Sequence, residues 1–131
     1  MLKHGILNPN VLELLGRFRH TNTLVIADRG FPSWPKVPTI DLSLTDDIPT
    51  VAQVLEALLP ACKIGGAFMA REFTAKNPAK AVKTAEQLLR AHGIKLRYEK
   101  HADFKMRVPG CIGLIRTADT IPYRNIILES A

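Results

Sequence analysis

A chain of 131 residues with 47% apolar side chains is long enough to bury one core, and it reads as one domain over residues 1–131. Its formal charge of +6 comes from 18 basic against 12 acidic residues, but the basic ones are interspersed with acids and aromatics reach only 6%. Phosphate tracking and base stacking need both features concentrated, so nucleic acid is not an expected partner. No run approaches the ~18 apolar residues of a membrane span, and no apolar stretch follows the charges of the N-terminus, so no membrane association is expected and the protein reads as cytoplasmic.

Asn8-Pro9 has the form of a helix cap followed by proline in the first turn, and Val11, Leu14, Leu15 and Phe18 then recur with helical spacing; a helix ending near Arg19 is expected. Thr23 to Ala27 is a short apolar run rich in β-formers, expected as a strand buried on both faces and ended by Asp28-Arg29-Gly30-Phe31-Pro32. Pro32, Pro35 and Pro38 exclude regular structure through that crossover, and a strand resumes over Thr39 to Leu44. Pro49-Thr50 opens a second helix that stops near Pro60, and Gly66 to Ala70 is a strand candidate. Asn77-Pro78 repeats the cap signal before an apolar stripe, Ala81, Val82, Ala85, Leu88 and Leu89, which ends at His92-Gly93. Ile94, Leu96 and Tyr98 alternate with charged residues in a strand with one wet face. His101 to Lys105 forms a helical turn, and strands follow over Ile112–Arg116 and Asn125–Leu128. Alternating strands and helices make the fold class α/β: a three-layer α/β/α domain on a mixed, mostly parallel sheet, because no helix separates the last two strands.

The polar residues beside these runs carry the chemistry. Asp28 follows its strand directly, where ligands of open α/β sheets gather; an Asp capping the turn before Gly30 would look the same. His20 closes the first helix in this reading and can give or take protons near neutral pH. The eight residues from His20 to Asp28 span up to ~26 Å when extended. Either the chain doubles back at Thr21-Asn22, or the two residues serve sites completed by different subunits; the second reading is preferred. His101 and Lys105 share a helix face at i, i+4, and Tyr123 and Asn125 alternate about Arg124 so that a phenol and an amide point the same way. Together these groups suit proton shuttling on a polyhydroxylated substrate. Cys62 and Cys111 lack metal-ligand or disulfide spacing and are expected as free thiols. No dinucleotide or triphosphate loop, nucleophile elbow or metal motif is present, so neither a cofactor nor a metal is expected.

In order along the chain, Lys3-His-Gly-Ile-Leu-Asn8, His20-Thr, Val-Ile-Ala-Asp28, Gly30-Phe-Pro32, Ile40-Asp-Leu-Ser-Leu44, His101-x-x-Phe-Lys105, Ile115-Arg-Thr117 and Pro122-Tyr-x-Asn-Ile-Ile-Leu128 resemble the D-ribose pyranase family over nearly the whole chain. The resemblance implies a cofactor-independent sugar isomerase that interconverts pyranose and furanose forms of an aldose, D-ribose foremost. It also implies a cytoplasmic homo-decamer with active sites at subunit interfaces. By the family's motif His20 would be the general acid, while Asp28, His101, Lys105, Tyr123, Arg124 (through its backbone) and Asn125 would hold the sugar. An L-fucose-type mutarotase and a non-catalytic binder of sugars or sugar phosphates are the alternatives. The chain departs from the family's usual Asp-Ala-Gly-Leu-Pro at Arg29 and Phe31, which places two large side chains beside Asp28; Arg29 could narrow the pocket, recruit a phosphate or pair across an interface.

Overall fold

The computed structural model describes residues 1–131. Asn8 caps helix α1 (Pro9–Gly16) by accepting from the amides of Asn10 and Val11, as the Asn-Pro signal predicts. The helix ends three residues before Arg19, however. Gly16 weakens the helix, and Asn22 offers the chain a competing turn, its Oδ1 accepting from the amide of Arg19 while its own amide donates to the Arg19 carbonyl. Phe18 is still buried, but beyond the helix.

Strand β1 (Thr23–Ala27) lies as expected, whereas β2 (Thr39–Asp41) is only three residues long. Helix α2 (Val51–Leu58) starts from a capping box in which Thr50 and Gln53 exchange side-chain bonds with each other's amides. Strand β3 (Ile64–Ala70) runs straight into a short helix, α3 (Arg71–Lys76), which the apolar pattern does not announce because only Phe73 in it is buried. Then come α4 (Ala79–Ala91), β4 (Lys95–Glu99), α5 (His101–Arg107), β5 (Gly113–Arg116) and β6 (Ile126–Ser130).

The six strands form one sheet in the order β2-β5-β1-β6-β3-β4. Only β6 runs against its neighbours, so the sheet is mixed and mostly parallel, as expected for an α/β fold. Alternation along β1 sends Leu24 and Ile26 to one face, under buried residues of α1, α2 and α4. Val25 and Ala27 go to the other, under Phe104 and Val108 and the crossover residues Phe31 and Val37. These are the outer two of the three layers, the second being the thinner. Full burial of Phe104, with no exposed surface, contributes about 2–3 kcal/mol to holding α5 on the sheet. No helix is long and apolar enough to cross a membrane.

This topology brings together the carboxyl ends of β1, β5, β3 and β4 and, because β6 is reversed, the segment that enters β6. Residues 28–32, 117–119, 71–72, 100–101 and 122–125 therefore meet along one edge of the sheet. Residues 19–22, which lead into β1, lie at the opposite edge, where Thr21 and Asn22 bond to Ser130 at the end of β6.

Candidate functional site

A cleft of about 330 Å³ opens at the carboxyl edge, lined by Asp28, Gly30, Phe31, Pro32, His101, Pro122, Tyr123 and Asn125. That volume sits at the small end of the range for small-molecule sites, ~300–1,000 Å³. Four predicted site residues, Asp28, His101, Tyr123 and Asn125, meet there although up to 97 positions separate them in the chain.

Asp28 is 7% exposed and Asn125 is 3% exposed, and the two clasp each other. The Asn125 amide nitrogen donates to Asp28 Oδ2 at 2.9 Å, and the Asp28 amide donates to Asn125 Oδ1 at 2.7 Å. The other carboxylate oxygen accepts from the amide of Gly30 at 2.9 Å. Burial pushes the Asp28 carboxyl above its ordinary range, against the lowering effect of the donors from Gly30, Asn125 and Phe31; the charge of Asp119 adds to the rise. Asp28 is thus the turn cap its position before Gly30 suggested and also a wall of the cleft.

His101 is the first residue of α5. Its amide donates to Glu72 Oε2 on α3 at 2.9 Å, and Nδ1 of its ring is buried without a protein partner. The ring stacks beside Phe104, with centroids 6.1 Å apart, and meets Tyr123 and Phe31 edge-on at 5.1 and 6.3 Å. Burial first, and the Lys105 charge second, lower its proton affinity, with Glu72 and Asp28 opposing, which favours the neutral imidazole. A neutral imidazole keeps one nitrogen as a proton acceptor. Tyr123 holds φ of +60°, a left-handed backbone costly for a bulky side chain, in the turn before β6 and not on the strand itself.

The remaining predicted residues fall outside the cleft lining. Lys105 lies one turn along α5 from His101 and acts on it through its charge. The Arg124 side chain turns away to Asp119, 3.4 Å off, so only its backbone adjoins the cleft residues. His20 neither closes α1 nor approaches Asp28. It is an exposed turn residue at the opposite end of β1, five strand residues from the cleft, because α1 stops at Gly16. Arg29 pairs with Asp46 at 2.6 Å on the surface, away from the lining, and Phe31 packs its ring into the second core beside Trp34 and Phe104. Cys62 and Cys111 are unpaired thiols, and no three His, Cys, Asp or Glu side chains gather as metal ligands.

Three residues that sequence reasoning left without a role shape this edge. Buried Asp119 accepts from the amides of Val51 and Ile121 and forms an ion pair with Arg124, tying α2 to the turn that carries Tyr123. Glu72 caps α5 from a helix that the pattern hides. Arg116 donates to main-chain carbonyls of the segment 28–32. The run Ile115-Arg-Thr117 was the one available signal for it.

A model of the family described as the RbsD / FucU transport protein family matches residues 1–131. A D-ribose pyranase of Halalkalibacterium halodurans is 35% identical over 130 residues, covering 99% of this chain and 97% of the relative. Among solved structures, Bacillus subtilis RbsD complexed with D-ribose is similar with a TM-score of 0.92 and 33% identity, over 100% of this chain and 98% of that one. The fucose mutarotase of Streptococcus pneumoniae in complex with L-fucose has a TM-score of 0.83 at 22% identity, over 99% and 98% of the two chains, and shares the fold.

Proposed function

The chain belongs to the RbsD/FucU family, and on that premise we propose that it is a sugar isomerase that interconverts the pyranose and furanose forms of an aldose, D-ribose first, by acid–base ring opening without a cofactor. The observation that carries the reading is the convergence of Asp28, His101, Tyr123 and Asn125 on one small cleft at the carboxyl edge of the sheet.

The chemistry follows from the groups present. Asp28, held by Asn125 and Gly30, accepts hydrogen bonds from sugar hydroxyls, and the Tyr123 phenol can donate or accept. Lys105 and the backbone of Arg124 complete the binding set. Neutral His101 takes the proton of the anomeric hydroxyl while an acid protonates the ring oxygen. The bond between the anomeric carbon and the ring oxygen breaks, and the open aldehyde forms. Rotation brings a different hydroxyl to the carbonyl carbon; its proton goes to the acid's conjugate base, His101 returns its proton to the carbonyl oxygen, and the other ring closes. The acid in this reading is His20. Since the His20 of a given copy lies across β1 from its own cleft, it serves the cleft of a neighbouring copy, and a cytoplasmic homo-decamer with interfacial sites supplies the neighbour.

Saturation-transfer NMR on D-ribose tests the proposal. Exchange between ring forms is expected to accelerate with the protein and to stop with His20→Ala. Mixing His20→Ala with Asp28→Asn subunits should restore part of the rate, because some mixed interfaces combine two intact halves. No acceleration with ribose, fucose, allose or arabinose refutes the enzyme, and no recovery on mixing refutes the shared site.

A further inference from the structure

We propose that Arg116 is a positioning residue for this reaction: its guanidinium, bonded to the carbonyls of Asp28, Arg29, Phe31 and Pro32, holds the 28–32 segment in the shape that forms the cleft wall. The proposal rests on the ring-exchange reading above.

Arg116 ends β5 and stands opposite Ala27 in the parallel ladder with β1, beside the point where the 28–32 segment leaves the sheet. Its Nη1 donates to the carbonyls of Phe31 at 2.7 Å, Asp28 at 3.2 Å and Arg29 at 3.4 Å, and Nη2 donates to that of Pro32 at 3.2 Å. All four partners are neutral main-chain oxygens, and no carboxylate forms an ion pair with Arg116; the nearby Asp41 is engaged with Ser43. A cation with a whole segment of backbone for its partners acts on that segment's shape.

The Phe31 ring anchors the segment in the second core, but its main chain has few other bonds to fix it. Apart from the clasp of Asp28, its amides rely on a long contact from Phe31 to the Asp28 carbonyl, 3.4 Å, and on one bond from Arg29 to the Asp119 carbonyl. Yet it supplies Asp28, Gly30, Phe31 and Pro32, four of the eight residues lining the cleft. The Asn125 clasp orients the carboxylate from the β6 side, while Arg116 gathers the chain beyond it from the β5 side. A guanidinium suits this task because its donors form a rigid planar fork spanning several acceptors; a lysine ammonium is a single point.

Two variants, Arg116→Ala and Arg116→Lys, test the idea by ring-exchange kinetics on D-ribose and by amide hydrogen exchange read peptide by peptide. Exchange at Arg29, Gly30 and Phe31 is expected to speed up about tenfold with the rest of the sheet unchanged, and kcat to fall about tenfold to a hundredfold in both variants, in keeping with the cost of a small misplacement. Guanidinium ion at a low, non-denaturing concentration should recover part of the Arg116→Ala rate, and methylammonium ion should not. If Arg116→Ala does not fold, Arg116→Lys carries both measurements. Wild-type kinetics from Arg116→Lys, or unchanged hydrogen exchange over 29–31, overturns the proposal. A wild-type protein inactive on every aldose refutes the functional reading instead, a result distinct from either.

Discussion

Replacing Asn125 by Asp alters one polar group in the buried clasp and reverses its electrostatics. The Asn125 amide nitrogen stands 2.9 Å from Asp28 Oδ2; in Asn125→Asp a second carboxylate oxygen takes that place, while the oxygen that accepts the Asp28 amide is retained. Two carboxylate charges with centres ~4 Å apart repel by about 4 kcal/mol at an effective dielectric constant near 20, roughly three powers of ten in proton affinity. The pair therefore holds one shared proton in the folded state well above the ordinary carboxylate range, whereas in the unfolded chain both groups ionise near their ordinary value of ~4. Folded-state proton affinity is raised, so the variant regains stability as pH falls, at up to about 1.4 kcal/mol per pH unit while the folded pair keeps a proton that the unfolded chain has lost. Urea denaturation of both proteins from pH 8 to pH 5 is the assay. The deficit against wild type is expected to be largest at pH 8, at most about 4 kcal/mol, and to shrink toward pH 5. A deficit that is constant across this range, or that grows in acid, would show that Asn125 does not face an ionised Asp28 and would undo the account of the clasp.

Two further outcomes follow from the same geometry. Because burial raises the Asp28 proton affinity, the acid limb of kcat/KM for ring exchange should lie above the ordinary carboxylate range near ~4, with Asp28 losing its charge as pH falls through that raised value; a limb at or below ~4 contradicts it. Glu72→Ala strips the acceptor from the His101 amide and should cost about 1 kcal/mol or more in urea denaturation, whereas Glu72→Gln retains an acceptor and most of that stability. In both variants the His101 ring, relieved of a nearby negative charge, should titrate at lower pH by NMR. An unmoved titration would disconnect Glu72 from the site.

Local signals in the chain carried the elements that stand on their own. Asn8-Pro9, Thr50 with Gln53 and the stripe before Gly93 mark α1, α2 and α4 because caps and apolar spacing act over one helical turn. The continuous apolar run of β1 marks a strand covered on both faces, and the lack of a helix between β5 and β6 foretells a reversed strand. Where local forces are closely balanced, neighbouring residues do not fix the outcome. Gly16 and the Asn22 turn shorten α1, and with that His20 loses its place at a helix end. Six residues with one buried side chain are too few to display the period of α3, and with it the cap that Glu72 gives His101.

By itself the sequence determined the fold class, the strands and helices whose burial is periodic, and which polar residues were candidates, since those properties reside in neighbouring residues. Only the tertiary structure decided which candidates meet. Asp28 and Asn125 touch because β1 and β6 are adjacent and antiparallel; Arg124 leaves the cleft for Asp119, and Arg116 reaches the carbonyls of a loop more than eighty positions away. The physical reason is that a hydrogen bond between distant segments depends on strand order and register, and these are settled by packing the whole sheet at once.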